Sequence, residues 1–182
     1  RPTRFWTVGK PLLLCLASSA LLQAEIIEFD LSPPGTSPAV GLSSANEVPA
    51  GTNTGTGNAI SGGIHFDTTT SLLSFAMGYG SSAGFTDLTG PAIQMHIHGP
   101  AGPAANAGVL FNLGFANFPA ANPSTGGIIY GSVFYPADQV ANLLAGLNYV
   151  NIHTSINPRG EIRGQLKSHA VSPSNCRGVV KR

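Results

Sequence analysis

Between residues 25 and 167, apolar and polar positions alternate with a period of two, and Gly, Pro, Asn and Ser interrupt the runs. That period puts successive side chains on opposite faces of an extended segment, so the pattern predicts short β-strands joined by turns. The first strand is predicted over residues 25–31 (EIIEFDL), with a loop over 32–39. A second extended segment is predicted over 40–50, ending at Pro49, then a turn-rich joint over 51–57 and a strand over 58–66. DTTTS at 67–71 is a turn, returning the chain as a hairpin partner over 72–79 (LLSFAMGY). After a polar loop at 81–90, Pro91 opens the strand that carries QMHIHG, with Ile93, Met95 and Ile97 on its core face. Residues 99–108 (GPAGPAANAG) hold too much Pro and Gly for regular structure. Alternation resumes over 109–113, with Val109, Phe111 and Leu113 on one face, followed by a loose stretch at 114–127 and a strand over 128–135.

One stretch has a different period. Val140, Leu143, Leu144 and Leu147 fall at i, i+3, i+4 and i+7, which predicts a short helix over 136–145, entered at Pro136 and left at Gly146. The last two strands can be registered by parity. A three-residue loop of Pro158, Arg159 and Gly160 would set Asn157 against Glu161, Ser155 against Arg163 and His153 against Gln165. The other face would pair Ile156 with Ile162, Thr154 with Gly164 and Ile152 with Leu166. That register buries the four aliphatic residues and leaves His153, Glu161, Arg163 and Gln165 on the polar face. The whole pattern predicts an all-β fold with one short helix. We expect an antiparallel β-sandwich or Greek-key barrel, immunoglobulin-like or copper–zinc dismutase-like, of about seven to nine strands.

Composition agrees: 23 Gly and 14 Pro, with only 9% charged residues, favour strands and turns over helices. The formal charge of +1 conceals an asymmetry. Eight acidic residues face three basic ones (Arg159, Arg163 and Lys167) between Glu25 and Lys167, a balance of about −5. A nucleic-acid partner needs a basic footprint, so that class is excluded. Arg1, Arg4 and Lys10 precede an apolar run over 11–22 and a small residue, Ala24, which together predict a signal peptide over 1–24. The mature β domain is then 25–167, secreted to an extracellular or periplasmic space, with a disordered tail over 168–182. The apolar run is shorter than the roughly 20 residues of a membrane span, and no transmembrane anchor is expected in the mature chain. Cys15 would leave with the signal peptide, so Cys176 has no intramolecular disulfide partner.

The concentrated chemistry is histidine. His96 and His98 share one face of their strand, and Tyr149, Asn151 and His153 share a face of theirs. Imidazoles presented in this way suit copper or zinc, so His96, His98 and His153 are candidate metal ligands. A competing reading has His96 and His98 hydrogen-bonding the backbone of the 99–108 loop. His65, between Ile64 and Phe66, is a weaker candidate for a fourth ligand. GTNTGTGNAISGG has no Lys and no following helix, so it is a turn and not a phosphate cradle. No Ser-His-Asp set, Cys pair or carboxylate dyad of catalytic spacing is found, and no catalytic residue is assigned.

ANEVPA, HIHGPAG and YVNIHTSINPRGEIRGQL, in that order, resemble the pattern of chordin-type (CHRD) domains, in particular their secreted bacterial members, from about residue 42 to 166. The resemblance implies a secreted or cell-surface, non-catalytic binding or structural module whose partner is an extracellular protein or surface ligand. It marks Asn151, Gly160, Glu161 and Arg163 as motif residues. The growth-factor binding of animal chordins belongs to a multi-domain parent and is not implied. Two functional readings follow: such a module with a His-based metal site, or a copper- or zinc-binding redox or metal-handling protein, dismutase-like. A dismutase itself is the weakest reading, because its bridging His and Asp-bearing zinc loop are not found.

Overall fold

The computed structural model describes residues 25–114 and 124–169. The predicted signal peptide, the chain beyond residue 169, residues 115–123 of the loose stretch, and both cysteines lie outside the described residues. The strands are β1 (Ile26–Leu31), β2 (Leu42–Ser43), β3 (Thr56–Asp67), β4 (Leu72–Tyr79) and β5 (Ala92–His98). They continue with β6 (Val109–Asn112), β7 (Gly127–Phe134), β8 (Tyr149–Thr154) and β9 (Ile162–Ser168). One α-helix among the described residues, α1 (Ala137–Leu144), links β7 to β8.

The strands form one antiparallel sheet in the order β6-β5-β8-β9-β1-β3-β4-β7, with β2 pairing to both β3 and β9. The sheet folds over on itself. Met95, Ile97, Val150, Ile152, Ile162 and Leu166 from one half share a core with Ile64, Phe66, Leu73, Met77 and Ile129 from the other. Phe111, on the β6 end, meets Tyr135, just past the β7 end, with ring centroids 5.0 Å apart. The fold is all-β and sandwich-like, with one short α-helix among the described residues, where the periodicity predicts it.

Five local expectations need correction. The segment predicted to be extended over 40–50 is a strand only at Leu42 and Ser43; Ser44–Asn46 is a 3₁₀ turn whose Ala45 N–H is capped by Ser43 Oγ. Ile93 is 46% exposed, because a bulge inserts it between the pairs Ala92–Thr154 and Gln94–His153, and Ala92 takes the core position. Val109 is 51% exposed for the same reason. A bulge in β6 pairs His98 with Val109 but Ile97 with Phe111, so Val109 and Phe111 lie on opposite faces. In α1 the apolar stripe is narrower than its spacing suggests, since Leu143 is buried and Val140 packs on the core while Leu144 is 40% exposed. Pro136 is the residue before the first helical turn, and Gly146 leaves the helix at φ 68°.

The final hairpin is the fifth. Tyr149 pairs with Gln165, Asn151 with Arg163, and Ile152 with Ile162, a shift from the predicted register. The loop is wide because it supplies its own bonds. Asn157 O accepts from Thr154 N (3.2 Å) and Gly160 N (3.1 Å), and Thr154 Oγ1 accepts from Asn157 N (3.0 Å). Ile156 is thereby thrown into solvent at 65% exposure, and His153 faces Gln94 on β5 instead of Gln165. The shift is even, so the faces survive: Ile152, Ile162 and Leu166 remain buried in the apolar core. Strand β9 also runs one residue past the predicted domain end, and His169 N continues its ladder by donating to Glu28 O at 2.9 Å.

Candidate metal centre

Strand β5 puts His96 and His98 on its non-core face, and β8 puts His153 on the same face of the sheet. In register order that face reads Gln94–His153, His96–Asn151 and His98–Tyr149, so Asn151 sits across from His96 in the middle of the set. All three histidines are buried. His96 Nδ1 lies 3.1 Å from His153 Nε2, and one nitrogen from each of the three rings falls within 4.8 Å of the others. Metal–imidazole bonds of about 2.0–2.1 Å require this order of separation.

Backbone carbonyls fix two of the rings. A carbonyl only accepts, so His98 Nδ1 donates to Ala107 O (3.0 Å) and His153 Nδ1 donates to Pro158 O (3.1 Å). Each ring therefore presents its Nε2 as a lone pair, and His98 Nε2 is buried without a partner. Metal-binding imidazoles are commonly oriented by such outer carbonyl bonds. The two sequence readings thus coexist: His98 pins the 99–108 loop through one nitrogen and offers the other. His96 Nδ1 faces the lone pair of His153 Nε2 at 3.1 Å and donates to it.

Burial, aided by its two neighbours His153 and His98, pushes the His96 imidazole down to about 4. Burial likewise pushes His98 and His153 below the usual histidine range, against the carbonyl bonds from Ala107 and Pro158 that work the other way. At neutral pH the set is uncharged, the form in which imidazole ligates a metal.

Over β5, β8 and β9 the non-core face of the sheet is itself covered. Loop 99–108 lies over it, held by a buried arginine. Arg163 Nη1 donates to Ala105 O (3.0 Å) and Asn106 Oδ1 (3.2 Å), and Nη2 donates to Gly102 O (3.0 Å) and Gln165 Oε1 (3.2 Å). Its guanidinium carbon stands 3.5 Å from the centre of the Tyr149 ring, and the opposite neighbour of that ring is His98, stacked with planes 4° apart. A cation over an aromatic face is a favourable arrangement. Gln165 adds donors to Ala101 O (2.8 Å) and Gly146 O (2.9 Å).

The remaining candidates fall into place around this centre. Asn151 Nδ2 donates to both oxygens of Glu47, at 3.0 and 3.1 Å. Gly160 has φ 128°, and a β-carbon there would come within 2.5 Å of Asn151 Nδ2 and 2.8 Å of Glu47 Oε1, so glycine is required. Glu161 does not share the histidine face. Its carboxylate accepts from Thr89 N (2.6 Å), Thr89 Oγ1 (2.8 Å), Thr154 Oγ1 (2.6 Å) and Asn157 Nδ2 (3.0 Å), tying the 155–161 loop to the loop before β5. Burial raises its carboxyl, but these four donors outweigh burial and hold it below its ordinary value. His65 is elsewhere: on β3, opposite Glu28 and Ser74, it lines a surface hollow with Asp30 and His169. Among the described residues the histidine cluster has three members.

Glu47 is the residue that sequence reasoning passed over. Its carboxyl is pushed up to about 7 by burial, which the charge of Arg163 and the Asn151 bond only partly offset. The signal for it was present, since a lone acid in the Ala/Val/Pro context of ANEVPA has few ways to stay solvated. Beside it opens a cleft of about 610 Å³ lined by Glu47, His98, Asn106, Tyr149, Asn151 and Gly160, among others.

A family model described as the CHRD domain matches residues 39–166. No curated protein and no solved structure matches the chain.

Proposed function

Since the chain belongs to the CHRD domain family, we propose that it is an extracellular, non-catalytic binding or structural module whose three-histidine centre holds one transition-metal ion, copper or zinc. One observation carries the metal: three neutral imidazoles meet with nitrogens within 4.8 Å, and two of them are locked by backbone carbonyls so that Nε2 carries the lone pair. A purely structural histidine has no need of a third ring at that distance. Three nitrogens and one open position are the donor set of many zinc sites, and imidazole suits copper equally well. The export reading from the sequence agrees with this compartment. No helix among the described residues is long and apolar enough to cross a membrane.

Metal content of the protein purified without chelator, followed by titration of the metal-free form, tests the reading. One equivalent of Zn²⁺ or Cu²⁺ is expected in the wild type and none in the variant with His96, His98 and His153 all changed to Ala. Equal, sub-stoichiometric binding by both would overturn it.

The second reading, a copper-handling or redox protein, draws on the nitrogen-only donor set, which suits copper. A reversible copper couple in voltammetry, with a visible band lost in the triple variant, separates it from a zinc site.

A further inference from the structure

Among the described residues the sheet ends on β6 and β7, and these two edges are built differently. β6 is four residues long and bulged, two devices that discourage further pairing. β7 is eight residues long, pairs with β4 without a register shift, and its sequence GIIYGSVF has no charge and no proline. Nothing in it turns away another strand. We propose that β7 pairs edge to edge with β7 of a second copy of this chain, antiparallel, about a two-fold axis at Gly131.

The backbone decides which residues take part. Tyr135 N donates to Ser71 O at 2.7 Å, and the β4–β7 register, which pairs Leu72 with Phe134, sets these two residues opposite one another. Bonded pairs alternate along an antiparallel ladder, so Val133, Gly131, Ile129 and Gly127 are the residues that bond to β4. Ile128, Tyr130, Ser132 and Phe134 therefore point their N–H and C=O groups away from β4, to the side where no described strand lies. A partner strand must oppose outward-pointing residues to these four. An axis at Gly131 does so, setting Ile128 against Phe134 and Tyr130 against Ser132, with about eight backbone bonds across the pair. An axis at Tyr130 would leave Phe134 opposite a residue outside the strand, and one at Ser132 would do the same to Ile128. The same residues carry the exposed side chains: Ile128 is 38%, Tyr130 55% and Phe134 65% exposed. Self-pairing thus joins an aliphatic to an aromatic side chain twice and opposes no like charges. The four exposed rings of the pair offer on the order of 500 Å², so the contact belongs with interfaces below about 1,200 Å² and its affinity is micromolar or weaker. Each copy has one such edge, so the contact closes as a dimer and does not propagate.

Sedimentation equilibrium of the purified protein from about 1 to 500 µM, with chelator present so that no metal bridges two copies, tests the pairing. A monomer–dimer equilibrium is expected. Ser132→Pro removes an N–H that points away from β4, so the β4–β7 ladder keeps its bonds while the pair loses two. Tyr130→Lys places a charge at an exposed position of the edge, where the two copies bring their lysines close together. Each change is expected to weaken association at least tenfold, whereas Ser132→Thr, which keeps the N–H, should associate like the wild type. By NMR, the amides of Ile128, Tyr130, Ser132 and Phe134 should exchange more slowly as concentration rises. Should Ser132→Pro fail to melt cooperatively, Tyr130→Lys decides alone. A wild type that stays monomeric at the top of the range would overturn the proposal, since the edge would then have no second copy as its partner. A dimer of unchanged strength in the folded variants would overturn it too, by placing the contact on another face.

Discussion

His98 does two jobs with one ring at the scale of the residue: Nδ1 holds Ala107 and Nε2 faces inward, while the ring face rests on Tyr149 at 4.9 Å. Loss of a direct ligand costs more than the 10–100-fold typical of an outer contact. His98→Ala or His153→Ala should therefore weaken metal binding by more than about 100-fold, whereas His65→Ala should leave it unchanged; isothermal titration with Zn²⁺ compares them. Protonation works in the same place. The three histidines titrate lower when folded than unfolded, so their stabilisation is complete above about 6.5 and is lost as pH falls toward the His96 value of about 4. Glu47 has the opposite sign. Its folded value of about 7 lies above the ordinary 4.5, so its contribution is full below 4.5 and disappears as pH rises through 7. Glu47→Gln should accordingly raise the stability of the metal-free protein by about 1–2 kcal/mol at pH 8 and give no gain at pH 4.5, as read from urea midpoints at the two pH values.

The elements show how a loop of alternating Pro, Gly and Ala becomes ordered. Strand β9 reaches over with Arg163 and Gln165, whose side chains satisfy carbonyls of Ala101, Gly102, Ala105 and Gly146. Arg163→Met keeps most of the volume but strands the Gly102 and Ala105 carbonyls, so a loss of about 3 kcal/mol is expected, with faster protease cleavage within 99–108. Arg163→Lys should recover only part of it, since an ammonium cannot fork between Ala105 and Gly102 while lying flat on Tyr149. Much of this scale could be read from alternation alone: β4 matches its predicted bounds, and the strands bearing the histidines fall where parity puts them. The bulges at Ile93 and in β6, and the width of the 155–161 loop, could not. Parity is a local rule, and those features are decided by distant partners, as when Glu161 captures Thr89 from another part of the chain. The histidine cluster was legible because an even shift of register preserves faces; the Glu47–Asn151 pair was not, because it joins residues 104 positions apart.

Considered whole, the sheet packs one side around Phe29, Phe66, Met77, Met95 and Ile152. Its other side is exposed on β1 and β7 and closed by loops on β5, β8 and β9, over His96, Asn151, Arg163 and Gln165. A metal that binds only the folded form adds RT ln(1 + [M]/Kd), about 2.7 kcal/mol at a hundredfold excess over Kd. Chelation should therefore lower the melting temperature by several degrees in the wild type and not in the triple His→Ala variant, a comparison that scanning calorimetry makes directly.

That second, polar interior has a calorimetric consequence. Unfolding a typical domain raises the heat capacity because water must solvate newly exposed hydrocarbon, while exposed polar groups lower it. Here Asn46, Asn148, Asn151, Thr154, Glu161, Arg163 and Gln165 would emerge from the interior along with the aliphatic and aromatic residues. The heat-capacity increment per residue should thus fall below the usual 12–15 cal/mol/K or so, and the curve of stability against temperature should be correspondingly broad and shallow. A domain built in this way loses little of its stability in the cold.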